Sequence, residues 1–383
     1  MTASIRLPDG TIHRLREPLP QPASAGPATS RIAYAAAHVV ADPFADNTPG
    51  RPAVLDWDAT LAFRRHLWGL GLGVADAMDT AQRGMGLDWA ATVELIRRSA
   101  AEAHAVGGRL ICGAGTDQLD GPARDLPACI AAYEEQVELI ESAGAGVVLM
   151  ASRALSAVAE SAADYYHVYD TILRQVKAPV ILHWLGPMFD PALEGYWGSS
   201  DLDVATDSVV RLITEHADRI EGVKVSLLDA GREIALRRRL PAGVRLFTGD
   251  DFNYPDLISG DEHGYSDALL GIFDPIAIAA ATALQALDNG DPKAYDAAFS
   301  PTVPLARHCF AAPTFHYKTG ITFISWLAGH QSHFTMVDGR QSARSVPHLV
   351  ELFRLADAAG VLPDPDLAVQ RMRAFMTTAG WQG

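Results

Sequence analysis

Residues 220–251 read IEGVKVSLLDAGREIALRRRLPAGVRLFTGDD. The segment opens and closes on short apolar runs, IEGVKVS (220–226) and VRLFTGD (244–250), with a stretch of helical period, 229–240, between them. Runs of this kind suit strands covered on both faces. Strand, helix and second strand make a parallel pair joined by a helical crossover.

The same alternation extends in both directions. Upstream lie RIAYAAAHVV (31–40), VADAMD (74–79), RLICGAG (109–115), GVVLMAS (146–152) and PVILHWL (179–185); downstream lies DALLGIF (267–273). Helical stretches at 58–70, 88–106, 126–142, 160–175, 202–216 and 252–259 fill the gaps, and Asp88 is expected to cap the second of them. Eight such units predict an α/β fold, a closed (β/α)8 TIM barrel, because closure leaves no unpaired sheet edge. An open doubly wound sheet is the competing architecture. No G-x-G-x-x-G follows the first strand, and GLGLGVAD (69–76) precedes a strand instead of opening a helix. Five further helical stretches, 275–289, 293–311, 319–330, 345–359 and 365–377, exceed one crossover and predict a C-terminal helical annex. The expected organisation is an N-terminal extension and linker (1–30), a barrel (31–290) and a helical region packed on it (291–383). Asp9-Gly10 marks a short hairpin within the extension, and PQPASAGPATS (20–30) reads as linker.

Composition narrows the function. The 383 residues carry 31 Lys plus Arg and 46 Asp plus Glu, a net charge of −15. Such a surface repels polyphosphates and argues against a nucleic-acid partner. No apolar run approaches a membrane span and no secretory signal opens the chain. Cys112, Cys129 and Cys309 lack metal-type spacing. A cytoplasmic protein with reduced thiols is expected.

In such a barrel the reactive groups sit at the C-terminal ends of the strands and in the loops that follow. The polar residues at the tips are His38 and Asp42, Asp79 and Thr80, Thr116 and Asp117, Ser152 and Arg153, His183, Lys224 and Ser226, Asp250 and Asp251, and Asp274. Lys224 is the most informative. Alternation along a strand turns it into the barrel if Val223 and Val225 face the helices. Desolvation there lowers an amine pKa, and a neutral amine forms an imine with a carbonyl. A structural lysine paired with a carboxylate such as Asp250 is the competing explanation. His183, one strand earlier, suits a proton shuttle, a metal ligand or a backbone-bonded core histidine. Of the acidic pair, Asp251 is expected to cap the next helix, and Asp250 is the site candidate. Asp79 suits hydroxyl binding; it would repel a substrate carboxylate unless Arg83 or Arg153 compensates. Trp184, Tyr196 and Trp197 could stack on a sugar ring or pack against the annex. The late histidines, His308, His316, His330, His333 and His348, read as helix–loop surface without a zinc pattern.

Three of these segments resemble the dihydrodipicolinate synthase and N-acetylneuraminate lyase superfamily of class I aldolase-type barrels. IEGVK (220–224) resembles its Schiff-base strand, VRLFTGDD (244–251) its G-D-D turn, and PVILHW (179–184) the strand that usually ends in tyrosine and asparagine. The similarity covers roughly residues 31–330 and looks like an uncharacterised, dihydrodipicolinate-synthase-like branch, a domain of unknown function. The resemblance implies a (β/α)8 barrel with a helical annex, an imine at Lys224 and a homodimer or homotetramer. Three features depart from the family. His183 stands where the family has a proton-relaying tyrosine. Asp79-Thr80-Ala81-Gln82-Arg83 replaces the G-T-T-G-E loop that holds a 2-oxo acid carboxylate. Ala151-Ser152-Arg153 replaces P-x-Y.

The expected function is a Schiff-base lyase, an aldolase or dehydratase, acting on a small carbonyl compound such as a sugar-derived ketone or 2-oxo acid. It needs no cofactor. Lys224 and His183 are the catalytic candidates; Asp79, Thr80, Arg83, Ser152, Arg153 and Asp250 are the substrate-binding ones. The alternative is a metal-dependent isomerase, epimerase or lyase, with a divalent ion on His183, Asp79, Asp250 and either His38 or His263.

Overall fold

The computed structural model describes residues 3–20, 22, 26–119, 121 and 125–381. Part of the expected linker, residues 21 and 23–25, lies outside them. A two-stranded hairpin comes first, β1 (Ser4–Arg6) against β2 (Ile12–Arg14). Eight parallel strands follow: β3 (Ala33–Ala36), β4 (Gly73–Asp76), β5 (Leu110–Ala114), β6 (Gly146–Leu149), β7 (Val180–Leu185), β8 (Ile220–Ser226), β9 (Arg245–Thr248) and β10 (Asp267–Leu270). They close in chain order, with β10 pairing β3. The expected TIM barrel is the fold, and each strand falls inside or within one residue of its apolar run.

Helices separate the strands: α1 (Trp57–Gly69), α2 (Trp89–Val106), α3 (Leu126–Ala143), α4 (Arg153–Val158), α5 (Ala162–Leu173), α6 (Leu202–Glu215), α7 (Ala230–Arg237) and α8 (Tyr254–Ser259). Asp56, Asp88, Asp125, Asp201 and Asp229 each cap the helix that follows by accepting a backbone N–H, which places much of the acidity at helix N-termini. Inside the barrel, Tyr34, Ile111, Val148, Ile181, Phe247 and Leu269 meet in one apolar layer. Outside it, Val223 and Val225 join the larger core beneath the helices. One buried ion pair crosses that outer layer: Arg64 of α1 grips both oxygens of Asp76 at 2.9 and 2.7 Å and also donates to the His38 carbonyl at 2.7 Å.

The annex comprises α9 (Ala277–Asp288), α10 (Pro292–Phe299), α11 (Thr302–Cys309), α12 (Tyr317–Leu327), α13 (Val346–Ala358) and α14 (Pro365–Thr378). The stretch 293–311, read as one helix, is two. Pro301 stands between them; it lacks an N–H and restricts the residue before it. Every residue of α12 is buried, so this helix is the centre of the annex. The N-terminal hairpin does not hang free. Ile5, Leu7 and Leu15 are buried, and Asp357 of α13 accepts from His13 Nε2 and from the Arg16 amide, both at 2.9 Å.

Candidate active site

The strands set the site through alternation. In the ladder His183 of β7 and Phe247 of β9 lie level with Lys224 of β8. Phe247 belongs to the inner layer and the two flanking valines to the outer one, so Lys224 and His183 face inward. Lys224 keeps only 7% of its surface. Its amine has no ion pair and no hydrogen bond among the described residues. Burial pushes its pKa down, and the charges of Asp79 and Asp251 pull against that. The structural lysine paired with Asp250 is therefore not what is found.

Gly249 makes room for this side chain. A Cβ there would lie 2.2 Å from Ser226 Oγ and 2.9 Å from Lys224 Cε. His183 Nε2 lies 3.2 Å from the same Ser226 hydroxyl, while Nδ1 is buried without a partner. Burial, aided by Lys224, drives the His183 pKa well down, so the imidazole is neutral.

The roles expected of the acidic pair are reversed in place. Phe247, Gly249 and Asp251 share the inward face. Asp250 turns the other way, and its carboxylate accepts from the amides of Phe252 and Asn253 at 2.9 and 3.0 Å. It organises the turn that Asp251 was expected to cap. Asp251 accepts from the Ile272 amide at 2.8 Å, and burial raises its pKa to about 7.

The loop after β4 brings the next groups. Ala77 (φ 50°) and Gln82 (φ 66°) adopt left-handed backbone, a strained geometry for residues with a side chain. Between them Asp79 enters the mouth, half-buried, with no hydrogen bond to its carboxylate among the described residues. Thr80 Oγ1 lies 3.0 Å from the hydroxyl of Tyr317, the first residue of α12. The Tyr317 pKa is pushed well up by burial and by Asp79, with Asp251 adding to it. The two carboxylates that act on Lys224 thus also act on this phenol. Lys318, next along α12, is 4% exposed. Its amine meets the Phe315 carbonyl at 3.3 Å and Met85 Sδ at 3.4 Å, and burial lowers its pKa to about 8 despite Asp79. Residue pattern alone did not single out Tyr317 or Lys318.

A cavity of about 330 Å³ opens beside these groups, walled by the loops after β4, β5, β6 and β7. Asp79, Arg83, Ser152 and Arg153 line it; Lys224 and His183 do not, and Asp79, whose charge acts on Lys224, is the link between the cavity and the amine. Arg83 has no N–H to spare. Asp117 takes two, and Ala77 O, Gly113 O and Gln136 Oε1 take the other three. Ser152 Oγ lies 2.6 Å from Thr116 Oγ1 and caps α4 through the Leu155 amide. Arg153 is half-exposed at the rim and pairs with Asp190.

The donor set named for a divalent ion does not assemble. Among the described residues no three His, Cys, Asp or Glu side chains converge on a metal-sized site. His38 is bonded to Asp274 at 2.8 Å and to Gln331 at 3.0 Å, and His263 is exposed beside Glu262. Trp197 packs on Tyr169 of α5, with ring centroids 4.7 Å apart, rather than on the annex or in the cavity. Trp184 is buried in the outer core. Nor is His330 simple surface: its ring lies 4.5 Å from that of His66 and 5.1 Å from that of Phe63. No helix among the described residues is long and apolar enough to cross a membrane.

Comparison with solved structures returns the same architecture. A putative dihydrodipicolinate synthetase from Pseudomonas aeruginosa matches with a TM-score of 0.65 at 18% identity, covering 85% of this chain and 99% of that one. The 4-hydroxy-tetrahydrodipicolinate synthase of the thermoacidophilic methanotroph Methylacidiphilum fumariolicum SolV matches with a TM-score of 0.65 at 15% identity, covering 91% and 98%. A dihydrodipicolinate synthase from Thermotoga maritima gives 0.64 at 14%, covering 87% and 100%. At such identities the likeness is one of fold. No curated protein matches the sequence. The model of one family matches residues 5–381, nearly the whole chain, and the protein therefore belongs to that family, DUF993, described as proteins of unknown function.

Proposed function

We propose that the protein is a lyase of class I aldolase type, which holds a small carbonyl compound as an imine on Lys224 and cleaves or forms a carbon–carbon or carbon–oxygen bond. One observation carries the reading: a lysine buried inside the barrel, level with a neutral histidine, whose amine has no hydrogen bond or ion pair among the described residues. Burial favours its uncharged form, which is the nucleophile. The amine adds to the substrate carbonyl, water leaves, and the iminium formed accepts the electron pair of the bond that breaks. Asp251, with a pKa near 7, can protonate the departing hydroxyl. His183, through its free Nδ1, and the Thr80–Tyr317 hydroxyl pair are the groups that can move the substrate's own protons. Asp79 is an open acceptor for a substrate hydroxyl. The likeness to dihydrodipicolinate synthases supports the same chemistry, since class I aldolase-type barrels work through such an imine. Assembly as a dimer or tetramer is part of the proposal on the strength of the resemblance, and a cytoplasmic location on the strength of the three free, buried cysteines.

Borohydride reduction in the presence of small ketones and aldehydes tests the proposal. The expected result is a mass increase equal to the reduced adduct, mapped to Lys224 by peptide analysis and absent in Lys224→Ala. An adduct confined to Lys318, or none with any carbonyl compound, would overturn it.

A further inference from the structure

We infer that the substrate carries an anionic group, a carboxylate, remote from the reacting carbonyl and across an apolar stretch, and that Arg153 binds it. This rests on the imine reading and specifies its ligand. Five charged residues line the cavity: Asp79, Arg83, Asp117, Arg153 and Asp190. Each arginine is paired with a carboxylate, Arg83 with Asp117 and Arg153 with Asp190, but all five N–H groups of Arg83 are already engaged. Arg153 differs. Its Nε donates to Asp190 and its Nη1 reaches the Gly84 carbonyl at 3.3 Å, which leaves one N–H on Nη1 and both on Nη2 free. Its position is set without a ligand. A Cβ at Gly84 would come within 3.0 Å of Nη1 and 3.3 Å of Cζ, so the guanidinium lies against that glycine while Asp190 holds its other edge. A planar cation held in place with one edge open suits a carboxylate.

The reacting end has the opposite character. The two charged groups acting on the Lys224 amine are the carboxylates of Asp79 and Asp251. A carboxylate on the carbon next to the imine, as in a 2-oxo acid, would sit among like charges. Tyr317 already occupies the Thr80 hydroxyl. The cavity that holds both Arg153 and Asp79 is also lined by apolar side chains, Leu119, Met150, Leu185 and Leu193 among them. The site therefore selects an oxo acid whose carboxylate and carbonyl are separated by at least two carbons, against one in which they are adjacent.

Three probes separate these cases: 4-oxopentanoate (remote carboxylate), pyruvate (adjacent carboxylate) and 2-pentanone (the same chain without charge). Adduct formation on Lys224 is titrated with each under borohydride, in the full chain and in Arg153→Met and Arg153→Lys. The full chain should trap 4-oxopentanoate at concentrations about tenfold or more below 2-pentanone, the difference expected of one charge-assisted contact. Arg153→Met should abolish that ratio and Arg153→Lys should restore part of it. The inference is overturned if pyruvate saturates at or below the concentration of 4-oxopentanoate, or if the ratio survives in Arg153→Met. Trapping of 2-pentanone shows in either case that the imine itself forms. If none of the three is trapped, the imine reading fails and takes the inference with it.

Discussion

The two faces of β9 each bury a carboxyl group, and the comparison separates structure from chemistry. On the outward face Glu233 of α7 is 1% exposed and accepts from Ser266 Oγ at 2.7 Å and Thr248 Oγ1 at 3.0 Å. On the inward face Asp251 accepts from the backbone amide of Ile272 and faces Lys224. Burial raises both, Glu233 to about 8 and Asp251 to about 7. A displaced pKa therefore does not mark a site here. What distinguishes the inward face is that its acid acts on an amine with no hydrogen bond among the described residues, and that Asp79, which acts on the same amine, lines a cavity.

The largest effect expected from breaking this contrast lies on the outward, structural side. Glu233 binds its proton more tightly folded than unfolded. Its contribution is complete below the unfolded value of 4.5 and is lost as pH rises to about 8. A shift of that size corresponds to about 4–5 kcal/mol of stability lost across the window. Glu233→Gln should flatten the dependence, so that the variant is more stable than the parent at pH 9. Denaturant midpoints at pH 5 and pH 9 read this directly. Equal slopes in the two proteins would mean that Glu233 is already ionised at pH 7.

On the inward face the sharper probe is steric. Gly249→Ala puts a methyl group 2.2 Å from Ser226 Oγ and 2.8 Å from the Val225 carbonyl, as well as against Lys224 Cε. The lysine must move while the outward face keeps its contacts. Imine formation should fall by about a hundredfold, the scale of an ångström-sized misplacement. The rate of borohydride trapping measures it, with circular dichroism as the check on folding. A wild-type rate would show that the Lys224 stem does not rest against position 249.

The inward face was partly legible in the sequence, and the reasons are specific. Strands buried on both sides read as continuous apolar runs, so all eight were visible. Lys224 stood out because valines flank it. The same continuity hid which of Asp250 and Asp251 points inward: in VRLFTGDD both Leu246 and Phe247 are apolar, and only the ladder, which sets Phe247 level with Lys224, fixes the phase. Once it is fixed, Gly249 and Asp251 follow by steps of two. Tyr317 and Lys318 reach the mouth from a helix more than 230 residues beyond the β4 loop they touch, and no local period encodes such a contact. One sign was present. Lys318 is the sole charged residue in YKTGITFISWL, an otherwise uncharged helix, and a lone lysine there is buried or functional. Arg153 was legible as a candidate, but its advantage over Arg83 lies in which N–H groups remain free, a property of the folded hydrogen-bond network alone.

The finest probe of the contrast exchanges the inward acid for its amide. Asp251→Asn keeps an oxygen to accept from the Ile272 amide but removes the negative charge. That charge favours the ammonium form of Lys224, so its loss lowers the lysine pKa further. The uncharged nucleophile then persists to lower pH, and the acid limb of imine formation should move down by up to about one pH unit. If Asp251 also protonates the departing hydroxyl, the plateau falls as the limb moves; the two changes are read separately from one pH–rate profile of borohydride trapping. The outward acid supplies the control. Glu233 lies across the β9 backbone, and its charge is not among those that act on Lys224, so Glu233→Gln should leave the limb where it is. A limb that shifts equally in both variants, or rises in Asp251→Asn, would mean that the electrostatics of the amine are set by the barrel as a whole and not by the face on which the acid sits.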